Sequence, residues 1–536
     1  MTVTIPNVPL RGNIVAPSSK SDLHRKLICA ALFGELSSIA CRDGELGQDI
    51  LATIDCLTVL GAKITQRAQA LEVCGIQSLE YRETPVLNCH ESGSTLRFLL
   101  PVAAALCDHF IISGSGRLPE RPVGTALEIL RAGGCVVNSD SLPFYVFGRL
   151  SGHSFTLPGD VSSQYLSGLL LALPLLGGGE IRLSTPLQSA AYVDMTLCTL
   201  REFGVDYDVQ DGIYALPILS EADIKKSIKT FVKGGWNAFQ GGSDILKGIN
   251  RLMRLKPARS ALYIGKGGRD MIAAGQQMLS CSKELADAGK EKFETLHAAA
   301  EANLQIAKNV RDDIRQRKLR ALTQPKNPIT DLKDPITPRE LYAEGDWSNA
   351  AFLLCSGAHP KASMTVKGLS AQSLQGDRAI VEILRRMGVN ITQMADEITV
   401  TGGDLRGITL DVREIPDLVP PIAILMSVAH GESRITSGER LRLKESDRLS
   451  AIAQTINALG GNAHETADGL LIQGVQSLRG GMRKSFNDHR IAMALALAAA
   501  WCESPVIIAD AGAVSKSYPN FYDEWRSLCH FQSANI

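Results

Sequence analysis

Cations and hydroxyl side chains gather in several short segments of this 536-residue sequence, beside glycines, prolines or the start of apolar runs. The first segment holds Lys20, Ser21 and Arg25, directly before the apolar run 27–32. Free amides at a helix N-terminus favour anions, so a lysine and an arginine there suit a phosphate or carboxylate ligand. For this segment alone, an ordinary serine cap with exposed bases is an equally good interpretation.

Three more segments of the N-terminal half repeat this arrangement. Gly93 permits a close approach of the backbone to a ligand, and Arg97 follows it into an apolar run. Arg117 and Arg121 lie in a proline-stiffened loop, where pre-organised guanidinium groups are bidentate clamps for carboxylate or phosphate. A glycine-bounded turn adds three neutral hydrogen-bonding side chains: Ser162, Ser163 and Gln164.

The C-terminal half mixes carboxylates with its cations. Residues 442–448 alternate basic and acidic side chains, and Asp417 opens the apolar run 419–428. Two further cationic segments are 488–490 and the one around Lys516. Taken singly, such a segment is a surface salt-bridge cluster or a helix-start charge worth about 0.3–1 kcal/mol. Together these junctions predict one shared site for a highly anionic set of ligands.

Composition excludes several classes of function. The 56 lysines and arginines balance 56 aspartates and glutamates, so no overall charge indicates a nucleic-acid or membrane partner. The 12 cysteines include no Cys-x-x-Cys pair, and no secretory signal is visible, which favours free thiols in a reducing cytoplasm. The longest apolar stretch, 491–502, is too short for a membrane span, so we expect a soluble cytoplasmic protein.

The elements that must position these segments recur along the chain. A glycine after a helix readily turns left-handed, and the same helix-exit pattern ends in glycine five times. The five glycines are 73, 70, 184 and 72 residues apart: Gly61, Gly134, Gly204, Gly388 and Gly460. A recurring spacing of ~70 residues indicates duplicated supersecondary modules. The spacing predicts six units, the last ending near a helical stretch at 521–530.

Within the units, short apolar runs such as 154–157 and 398–400 have the length of strands. Stretches 379–387 and 449–459 carry apolar residues at helical spacing instead. Strands that alternate with helices predict an α/β fold, although the pattern leaves the topology of the sheets open.

The long interval between glycines contains an insertion, which we place at 219–335. Residues 269–322 lack proline and are rich in good helix formers, which predicts one long helix or a helical hairpin. The insertion has 22 basic and 13 acidic residues, a net charge of +9, against −9 for the remaining chain. Two interpretations of that charge stay open: an anionic partner docks on it, or it is a solvated helical face.

Nine motifs, in order from Pro17 to Pro519, resemble the enolpyruvylshikimate phosphate synthase family of enolpyruvyl transferases. They are Pro-Ser-Ser-Lys-Ser, Glu-Ser-Gly-Ser-Thr-Leu-Arg, Arg-x-x-x-Arg-Pro, Ser-Ser-Gln-Tyr, Glu-Gly-Asp-Trp-Ser, Gln-Gly-Asp, Lys-Glu-Ser-Asp-Arg, Asp-His-Arg and Lys-Ser-Tyr-Pro. The resemblance implies two lobes of three β/α units each, with the active site in the cleft between them. We therefore assign 1–18 and 336–536 to one lobe, 19–218 to the second, and 219–335 to a helical insertion.

The resemblance also implies the reaction. The enolpyruvyl group of phosphoenolpyruvate passes to the 5-hydroxyl of shikimate 3-phosphate and phosphate is released, in the pathway to chorismate and the aromatic amino acids. The family uses neither a metal nor an organic cofactor, so we expect none here. We further expect a monomer without a nucleic-acid or membrane partner.

Matching motif positions imply which residues bind each substrate. The residues expected to contact shikimate 3-phosphate are Lys20, Ser21, Arg25, Ser162, Ser163, Gln164, Ser189, Asp417 and Lys444. The residues expected to contact phosphoenolpyruvate are Lys20, Gly93, Arg121, Gln164, Arg448, Arg490 and Lys516. Supporting groups are expected at Arg97, Tyr192 and His489.

Three residues are expected to be catalytic: Lys20, Asp417 and Glu445. Two opposed carboxylates can serve as acid and base when their environments separate their pKa values. We assign Asp417 to the 5-hydroxyl and Glu445 to protonation of the methylene carbon. Lys20, Arg448 and Lys516 are expected to balance the charge of the leaving phosphate.

Two positions depart from the family, and two alternative functions remain. Asn349 stands where a serine is common, which indicates a change in packing. Arg440 stands where the family often has an asparagine that contacts the shikimate phosphate, so that contact is not carried over. The first alternative is the related transferase that uses UDP-N-acetylglucosamine, but the loop 114–120 lacks the reactive cysteine typical of it. The second is a non-catalytic scaffold that uses the basic insertion, and such a scaffold has no need of Lys20, Asp417 and Glu445 together.

Overall fold

The computed structural model of the protein describes residues 1–34, 36–42, 45–76, 84–217 and 339–530. The insertion predicted at 219–335, with its expected helices, lies outside the described residues. All the cysteines that the structure describes are free thiols, as the sequence predicts for this part of the chain. None of the described helices is both long and apolar enough to cross a membrane.

Short strands account for the sheets of the fold. They are β1 (Thr2–Ile5), β2 (Arg11–Val15), β3 (Leu36–Ala40), β4 (Lys63–Arg67), β5 (Ala70–Cys74), β6 (Val86–Asn88), β7 (His109–Ser113), β8 (Val136–Val137), β9 (Phe144–Phe147), β10 (Ser154–Leu157), β11 (Gly179–Leu183), β12 (Asp208–Gln210), β13 (Ile213–Leu216), β14 (Arg339–Tyr342), β15 (Ser363–Lys367), β16 (Val389–Gln393), β17 (Glu397–Gly403), β18 (Thr409–Asp411), β19 (Glu432–Thr436), β20 (Asn462–Glu465), β21 (Leu470–Gln473), β22 (Gly481–Lys484) and β23 (Val506–Ala509).

Helices separate these strands. They are α1 (Lys20–Phe33), α2 (Gln48–Val59), α3 (Gly93–Leu106), α4 (Gly124–Ala132), α5 (Ser163–Leu176), α6 (Ala190–Glu202), α7 (Trp347–Ser356), α8 (Ile380–Arg386), α9 (Val419–Met426), α10 (Arg448–Ala458), α11 (His489–Ala498) and α12 (Phe521–His530). Short 3₁₀ turns at Pro416–Leu418 and Glu439–Leu443 carry residues towards the cleft.

The described strands form six small sheets, which match the six units predicted from the glycine spacing. Each four-stranded sheet has a parallel pair at one edge and an antiparallel hairpin at the other, as in the order β10-β11-β13-β12. The corresponding unit runs from strand to helix to parallel strand to helix to hairpin. The other sheets have the orders β14-β3-β5-β4, β6-β7-β9-β8, β16-β17-β15-β2, β18-β19-β21-β20 and β1-β23-β22.

The repeated glycines end the second helix of each unit, before the hairpin. All five have a positive φ, between 78° and 96°: Gly61, Gly134, Gly204, Gly388 and Gly460. A side chain is strained in that left-handed conformation, so glycine allows the helix to stop and the hairpin to begin at once. The predicted helix-exit pattern is therefore confirmed: these glycines mark the points where a helix ends and a hairpin begins.

Two edge strands are exchanged between distant parts of the chain. β14 pairs in parallel with β3, and β2 pairs in parallel with β15. Ser18 and Gly345 form an antiparallel bridge where the chain passes between the two groups of sheets. β14 thus belongs to a sheet of the 19–218 segment, although the sequence assigned 336–536 to the other lobe. Pairing of an edge strand depends on its backbone, which the side-chain pattern does not reveal.

Two separate clusters of buried apolar side chains hold the sheets and helices together. One combines residues of 3–16 with residues of 347–529, and the other draws on 23–214 together with Ala343. α3, α5 and α9 are buried on nearly every side, as expected for helices that are apolar all round. These central helices begin where the polar segments lie, so the apolar packing fixes the position of the polar groups.

Candidate active site

Helix N-termini supply much of the site. Capping side chains accept hydrogen bonds from first-turn amides at the starts of six helices: Ser19 (α1), Ser92 (α3), Ser162 (α5), Asp346 (α7), Asp447 (α10) and Asp488 (α11). The predicted ligand-binding residues follow these caps directly, as Lys20, Gly93 and Arg448 do at the first position of their helices. The first turn carries partial positive charge and is held in place by the cap, which favours anionic ligands.

A cavity of about 150 Å³ lies among these helix starts. The structure brings together all but one of the predicted site residues in its lining: Lys20, Ser21, Arg25, Gly93, Arg121, Ser162, Ser163, Gln164, Ser189, Asp417, Lys444, Glu445, Arg448 and Arg490. The expected supporting groups Arg97, Tyr192 and His489 line it as well. Residues more than 400 positions apart in the sequence therefore surround one cavity.

Lys516 is the predicted residue that is missing from this lining. Its Nζ donates to Glu91 Oε2 at 2.7 Å and to the carbonyl of Asn487 at 2.6 Å. Asn487 Nδ2 lies 3.4 Å from both carboxylate oxygens of Glu91. In this structure the ammonium group is therefore committed to protein partners beside the cavity.

Asp417 lies among cations. Its Oδ1 accepts a hydrogen bond from Arg448 Nη1 at 2.9 Å and lies 3.5 Å from Lys444 Nζ. Its Oδ2 lies 3.2 Å from Arg490 Nη2 and accepts from the Tyr192 hydroxyl at 3.5 Å. Burial raises the pKa of Asp417, but these cations outweigh it and hold the pKa well below its usual range. The carboxylate is therefore ionised and can accept a hydrogen bond from a hydroxyl.

Glu445 has a different set of partners. His489 Nδ1 lies 2.7 Å from its Oε2, and Arg448 Nη2 lies 3.9 Å from its Oε1. Burial raises the pKa of Glu445, but His489, Arg448 and Lys20 together lower it well below its usual range. His489 Nε2 is buried and has no hydrogen-bond partner among the described residues. Glu445 is thus a carboxylate as long as the cleft holds no added negative charge.

Arg448 connects the two carboxylates. Its side chain is 2% exposed, and its Nε donates to Asp488 Oδ2 at 2.8 Å. Burial lowers its pKa, but Asp488, Asp417 and Glu445 more than compensate and raise it. Removing either member of such a buried ion pair leaves the other charge uncompensated. The carboxylates of Asp417 and Asp488 therefore hold the Arg448 guanidinium in position.

Lys20 is paired with Asp49, a residue that the motifs did not single out. The Lys20 Nζ lies 2.7 Å from Asp49 Oδ2. Burial lowers the pKa of Lys20, but Asp49 and Glu445 outweigh it and raise the pKa above its usual value. The ammonium group therefore stays charged in the cavity.

The Gly93 segment presents cations with fewer partners. Arg97 Nη1 donates to Gln164 Oε1 at 2.9 Å, and Gln164 Nε2 donates to Ser94 Oγ at 2.8 Å. The Nε atoms of Arg97 and Arg121 are buried without a described hydrogen-bond partner. Burial and the charge of Arg97 lower the pKa of Arg121. Two adjacent guanidinium groups with unpartnered Nε atoms favour the binding of an anion.

Gly93 itself permits this close approach. A Cβ at this position would come within 2.7 Å of Arg121 Nη1 and 3.0 Å of Arg97 Nη1. Real Cβ contacts do not fall below 3.0 Å, so any side chain here would displace Arg121. The glycine is required by the position of the arginines.

Arg25 has mostly internal partners. Its Nε donates to Thr196 Oγ1 at 2.8 Å, and its Nη1 and Nη2 donate to the carbonyls of Ser21 and Tyr192 at 2.6 and 2.7 Å. The guanidinium also lies 5.1 Å from the centre of the Phe98 ring. Three of its five N–H groups are thus used inside the protein, and two remain for a ligand.

Sequence reasoning missed His24 and Asp49 in the cavity, and it assigned no ligand role to Ser348 and Asn349, which line it as well. His24 is buried, which lowers its pKa to about 3, so its ring is neutral. These residues lie on buried helix faces, where the sequence pattern does not distinguish a ligand-binding residue from a packed core residue. Ser348 is the last residue of the Glu-Gly-Asp-Trp-Ser motif.

Three potential metal ligands, Glu445, Asp488 and His489, lie with their ligand atoms within 4.8 Å of one another. Arg448 already pairs with both carboxylates of this cluster. A cation would have to displace the buried guanidinium, so these residues do not fit a metal site.

A family model described as EPSP synthase (3-phosphoshikimate 1-carboxyvinyltransferase) matches residues 5–219 and 323–525. A curated protein of Clostridium kluyveri named 3-phosphoshikimate 1-carboxyvinyltransferase is 34% identical, with 98% of this chain and 97% of that protein covered. A protein of the same name from Clostridium botulinum is 31% identical over 97% of this chain and 95% of its own length. A solved EPSP synthase of Acinetobacter baumannii has a TM-score of 0.64 at 20% identity, with 98% of both chains covered, and this likeness concerns the fold.

Proposed function

The chain belongs to the EPSP synthase family, and on that premise we propose that its cavity transfers the enolpyruvyl group of phosphoenolpyruvate to the 5-hydroxyl of shikimate 3-phosphate, releasing phosphate. The observation that carries the proposal is the pair of partly buried carboxylates, Asp417 and Glu445, joined through Arg448 and surrounded by cations. Both substrates are anionic, and the reaction needs one group to take a proton and one to give a proton. The enzyme would act in the shikimate pathway to the aromatic amino acids.

Shikimate 3-phosphate would lie at the start of α5. Ser162, Ser163 and Gln164 provide hydroxyl and amide groups there, and Lys444 provides a charge. Burial, together with Arg448, Arg440 and Arg490, lowers the pKa of Lys444 to about 8 despite the opposing effect of Asp417. A dianionic phosphate would stabilise the charged ammonium form. The 5-hydroxyl would then donate its hydrogen bond to Asp417.

Phosphoenolpyruvate would lie between Lys20, Arg121 and Arg490. The free hydrogen-bonding capacity of Arg121 and the absence of a side chain at Gly93 support this assignment. Gln164 lies between the two subsites and would contact both ligands.

The chemistry follows from these positions. As the 5-hydroxyl oxygen bonds to the C2 carbon of phosphoenolpyruvate, Asp417 takes its proton and Glu445 gives a proton to the methylene carbon. The tetrahedral intermediate then breaks its C2–O bond to phosphate, and the new methyl group returns one proton to Glu445. Lys20 and Arg448 balance the charge of the departing phosphate, which leaves with the proton from the hydroxyl.

Glu445 must be protonated before it can act as the acid. Its pKa is low because His489, Arg448 and Lys20 surround it in this structure. A bound phosphoenolpyruvate would offset the charges of Arg448 and Lys20 and so raise the pKa of Glu445. Substrate binding would thereby prepare the acid, and the protein would keep it inactive until then.

Lys516 would join the site only when phosphoenolpyruvate binds. Its present partner, Glu91, is 30% exposed at the side chain, so exchanging that carboxylate for a ligand anion costs little. We assign the two lobes to 1–18 with the segment after Tyr342, and to 19–217 with β14. Closure of the lobes would bring Lys516 to the ligand and exclude water. We expect a cytoplasmic monomer.

Phosphate release by the full-length chain tests the proposal. Release should require both phosphoenolpyruvate and shikimate 3-phosphate, and mass spectrometry should find the enolpyruvyl product. Omission of either substrate should abolish release, as should replacement of the acceptor by UDP-N-acetylglucosamine, because the named relatives do not favour that alternative. Well-folded protein that releases no phosphate would be incompatible with the proposal.

A further inference from the structure

Glu91 is a charged residue beside the cavity to which the proposed reaction gives no role. It directly precedes Ser92, the cap of α3, and so stands two residues before Gly93. Its partner Lys516 ends the 3₁₀ segment Ala511–Lys516, in the other half of the chain. The ion pair, 2.7 Å between Lys516 Nζ and Glu91 Oε2, therefore connects the part of the site built from 19–217 with the part built from 339–530.

The neighbouring loop makes room for the Glu91 side chain. Gly116 has a φ of +58°, and a Cβ at this position would lie 2.4 Å from Glu91 Cδ. Real Cβ contacts do not fall below 3.0 Å, so any side chain at position 116 would push the carboxylate away from Lys516. The backbone of this loop thus holds the Glu91 carboxylate at its place beside the ammonium group.

Lys516 also has an acceptor that is part of the backbone. Its Nζ donates to the carbonyl of Asn487 at 2.6 Å, directly before Asp488, the cap of α11. Phe486 and Asn487 have φ values of 56° and 52°, and a positive φ is uncommon for a residue as bulky as phenylalanine. This turn presents the carbonyl to Lys516, so the ammonium group stays beside the cavity when its carboxylate partner changes.

A phosphate group and the Glu91 carboxylate cannot share this ammonium group without a cost. An ammonium group has three N–H donors on one nitrogen, and Glu91 and Asn487 accept two of them here. A phosphate bound to the third would lie close to the carboxylate, and like charges at such a distance repel each other. Glu91 must turn away or tolerate that repulsion, and in both cases its charge weakens the binding of the phosphate.

We propose that Glu91 competes with the phosphate group of the ligand for Lys516, and that it thereby sets the affinity of the cleft for phosphoenolpyruvate and for the inorganic phosphate that is released. This inference rests on the proposed function, because it names a residue that tunes binding within that reaction. As the phosphate departs, the carboxylate pairs with Lys516 again, so the ammonium group does not retain the product.

Steady-state kinetics of Glu91→Gln test the inference. The amide keeps the size of the side chain and removes its charge, so the KM for phosphoenolpyruvate should fall about three- to fivefold, as for the loss of a partly exposed ion pair. The inhibition constant of inorganic phosphate, measured against phosphoenolpyruvate, should fall by the same factor. The KM for shikimate 3-phosphate should stay constant. A merely structural role of Glu91 predicts the opposite sign, because a disturbed site binds its ligands less well.

Glu120→Gln is the matched control. Glu120 belongs to the same loop region, its side chain is 69% exposed, and it pairs with Arg117 at 3.3 Å. This variant removes the same charge at a position without contact to Lys516, so it should leave the KM for phosphoenolpyruvate and the inhibition by phosphate unchanged.

A double-mutant cycle shows whether Glu91 acts through the ammonium group. Lys516→Gln alone should raise the KM for phosphoenolpyruvate. Addition of Glu91→Gln to that variant should change the KM by less than about twofold, because no ammonium group is left to compete for.

Each other outcome decides against a specific claim. A KM for phosphoenolpyruvate that is unchanged or raised in an active Glu91→Gln enzyme would overturn the inference and leave the proposed function intact. An equal fall of KM in the Lys516→Gln background would also overturn it, because the charge would then act without Lys516. A wild-type chain that releases no phosphate would overturn the proposed function, and calorimetric titration of wild type and Glu91→Gln with phosphoenolpyruvate alone would still decide whether Glu91 opposes binding.

Discussion

The two sides of the cavity satisfy their charges in opposite ways. On the side built from 19–217, Arg97 and Arg121 keep buried Nε atoms that have no described partner. On the side built from 339–530, Arg448 is paired with Asp417 and Asp488, and Glu445 with His489. The first side leaves these two guanidinium groups available for ligand anions, whereas its Lys20 is paired with Asp49. The second neutralises its cations with its own carboxylates and so controls their pKa values.

This difference suggests a division of labour between the two sides. Unpaired buried cations gain most from an incoming anion, so the first side would contribute mainly to substrate affinity. Carboxylates that are held ionised by neighbouring cations change their pKa when a ligand alters that charge, so the second side would carry the proton transfers. The predictions below test that division.

Glu445→Gln and Asp417→Asn should have the largest effects. Each change removes a proton-transfer group while retaining the shape, so kcat should fall about 10²- to 10⁴-fold. Phosphate release under saturating substrates measures the effect, and circular dichroism checks the fold. Glu439→Gln, on the exposed start of the adjacent turn, is the matched control and should retain full turnover. Near-normal kcat in either variant would remove that residue from the mechanism.

Arg448→Gln and Arg121→Gln should separate stability from affinity. Loss of Arg448 leaves Asp488 buried without its cation, so the free energy of unfolding should fall by about 3–5 kcal/mol. Loss of Arg121 removes a buried charge without a described ion-pair partner, so stability should be kept or improved. The KM for phosphoenolpyruvate should instead rise about 10- to 100-fold in Arg121→Gln.

Urea unfolding and steady-state kinetics on the same two preparations provide these numbers. If Arg121→Gln is as destabilised as Arg448→Gln, the two sides of the cavity do not differ in the way the contacts indicate. If Arg121→Gln has an unchanged KM for phosphoenolpyruvate, the free N–H groups of Arg121 do not bind that ligand.

Gly93→Ala should give a smaller and more selective effect. The added methyl group would lie 2.7 Å from Arg121 Nη1, so the guanidinium must move by a few tenths of an ångström or more. We expect the KM for phosphoenolpyruvate to rise by less than about tenfold, since the arginine is displaced and not lost. The KM for shikimate 3-phosphate should stay constant. A variant with unchanged KM for both substrates would place Arg121 outside the phosphoenolpyruvate subsite.

Much of the fold and many of the site residues could be predicted from the sequence. Each glycine that ends a helix, from Gly61 to Gly460, is needed for its positive φ, and these glycines recur at a regular spacing in the sequence. That spacing predicted the six units and the boundaries between them. Ligand-facing cations such as Lys20 and Arg448 stand directly after helix caps, where type and position together indicate an anion site. The sequence could not reveal that Lys20 pairs with Asp49 and Arg448 with Asp488, because these buried partners lie 29 and 40 residues away along the chain. For a related reason the sequence could not show that β14 pairs with β3, since four residues carry no side-chain pattern that identifies a parallel partner strand.

Asp377 should give the smallest effect, and one that depends on pH. In contrast to Asp417, this acid is not held ionised: burial and the charge of Asp417 raise its pKa to about 7, although Arg490 and the Ser348 hydroxyl oppose them. Its Oδ1 is buried without a described partner. Because the folded pKa lies above the ordinary value of 3.8, the folded protein binds more protons than the unfolded chain between these values. Its contribution to stability is complete below pH 3.8 and is lost as the pH rises through 7.

Asp377→Asn imitates the protonated acid at every pH, so its stability relative to wild type should increase between pH 5 and pH 8, by about 2.5 kcal/mol. Urea unfolding of both proteins at these two pH values measures the difference, and Asp404→Asn, an exposed aspartate, should show none. Activity should change little at pH 6, where wild-type Asp377 is mostly protonated. A relative stability that is flat or falls with pH would mean that Asp377 is ionised, in the same charged state as Asp417.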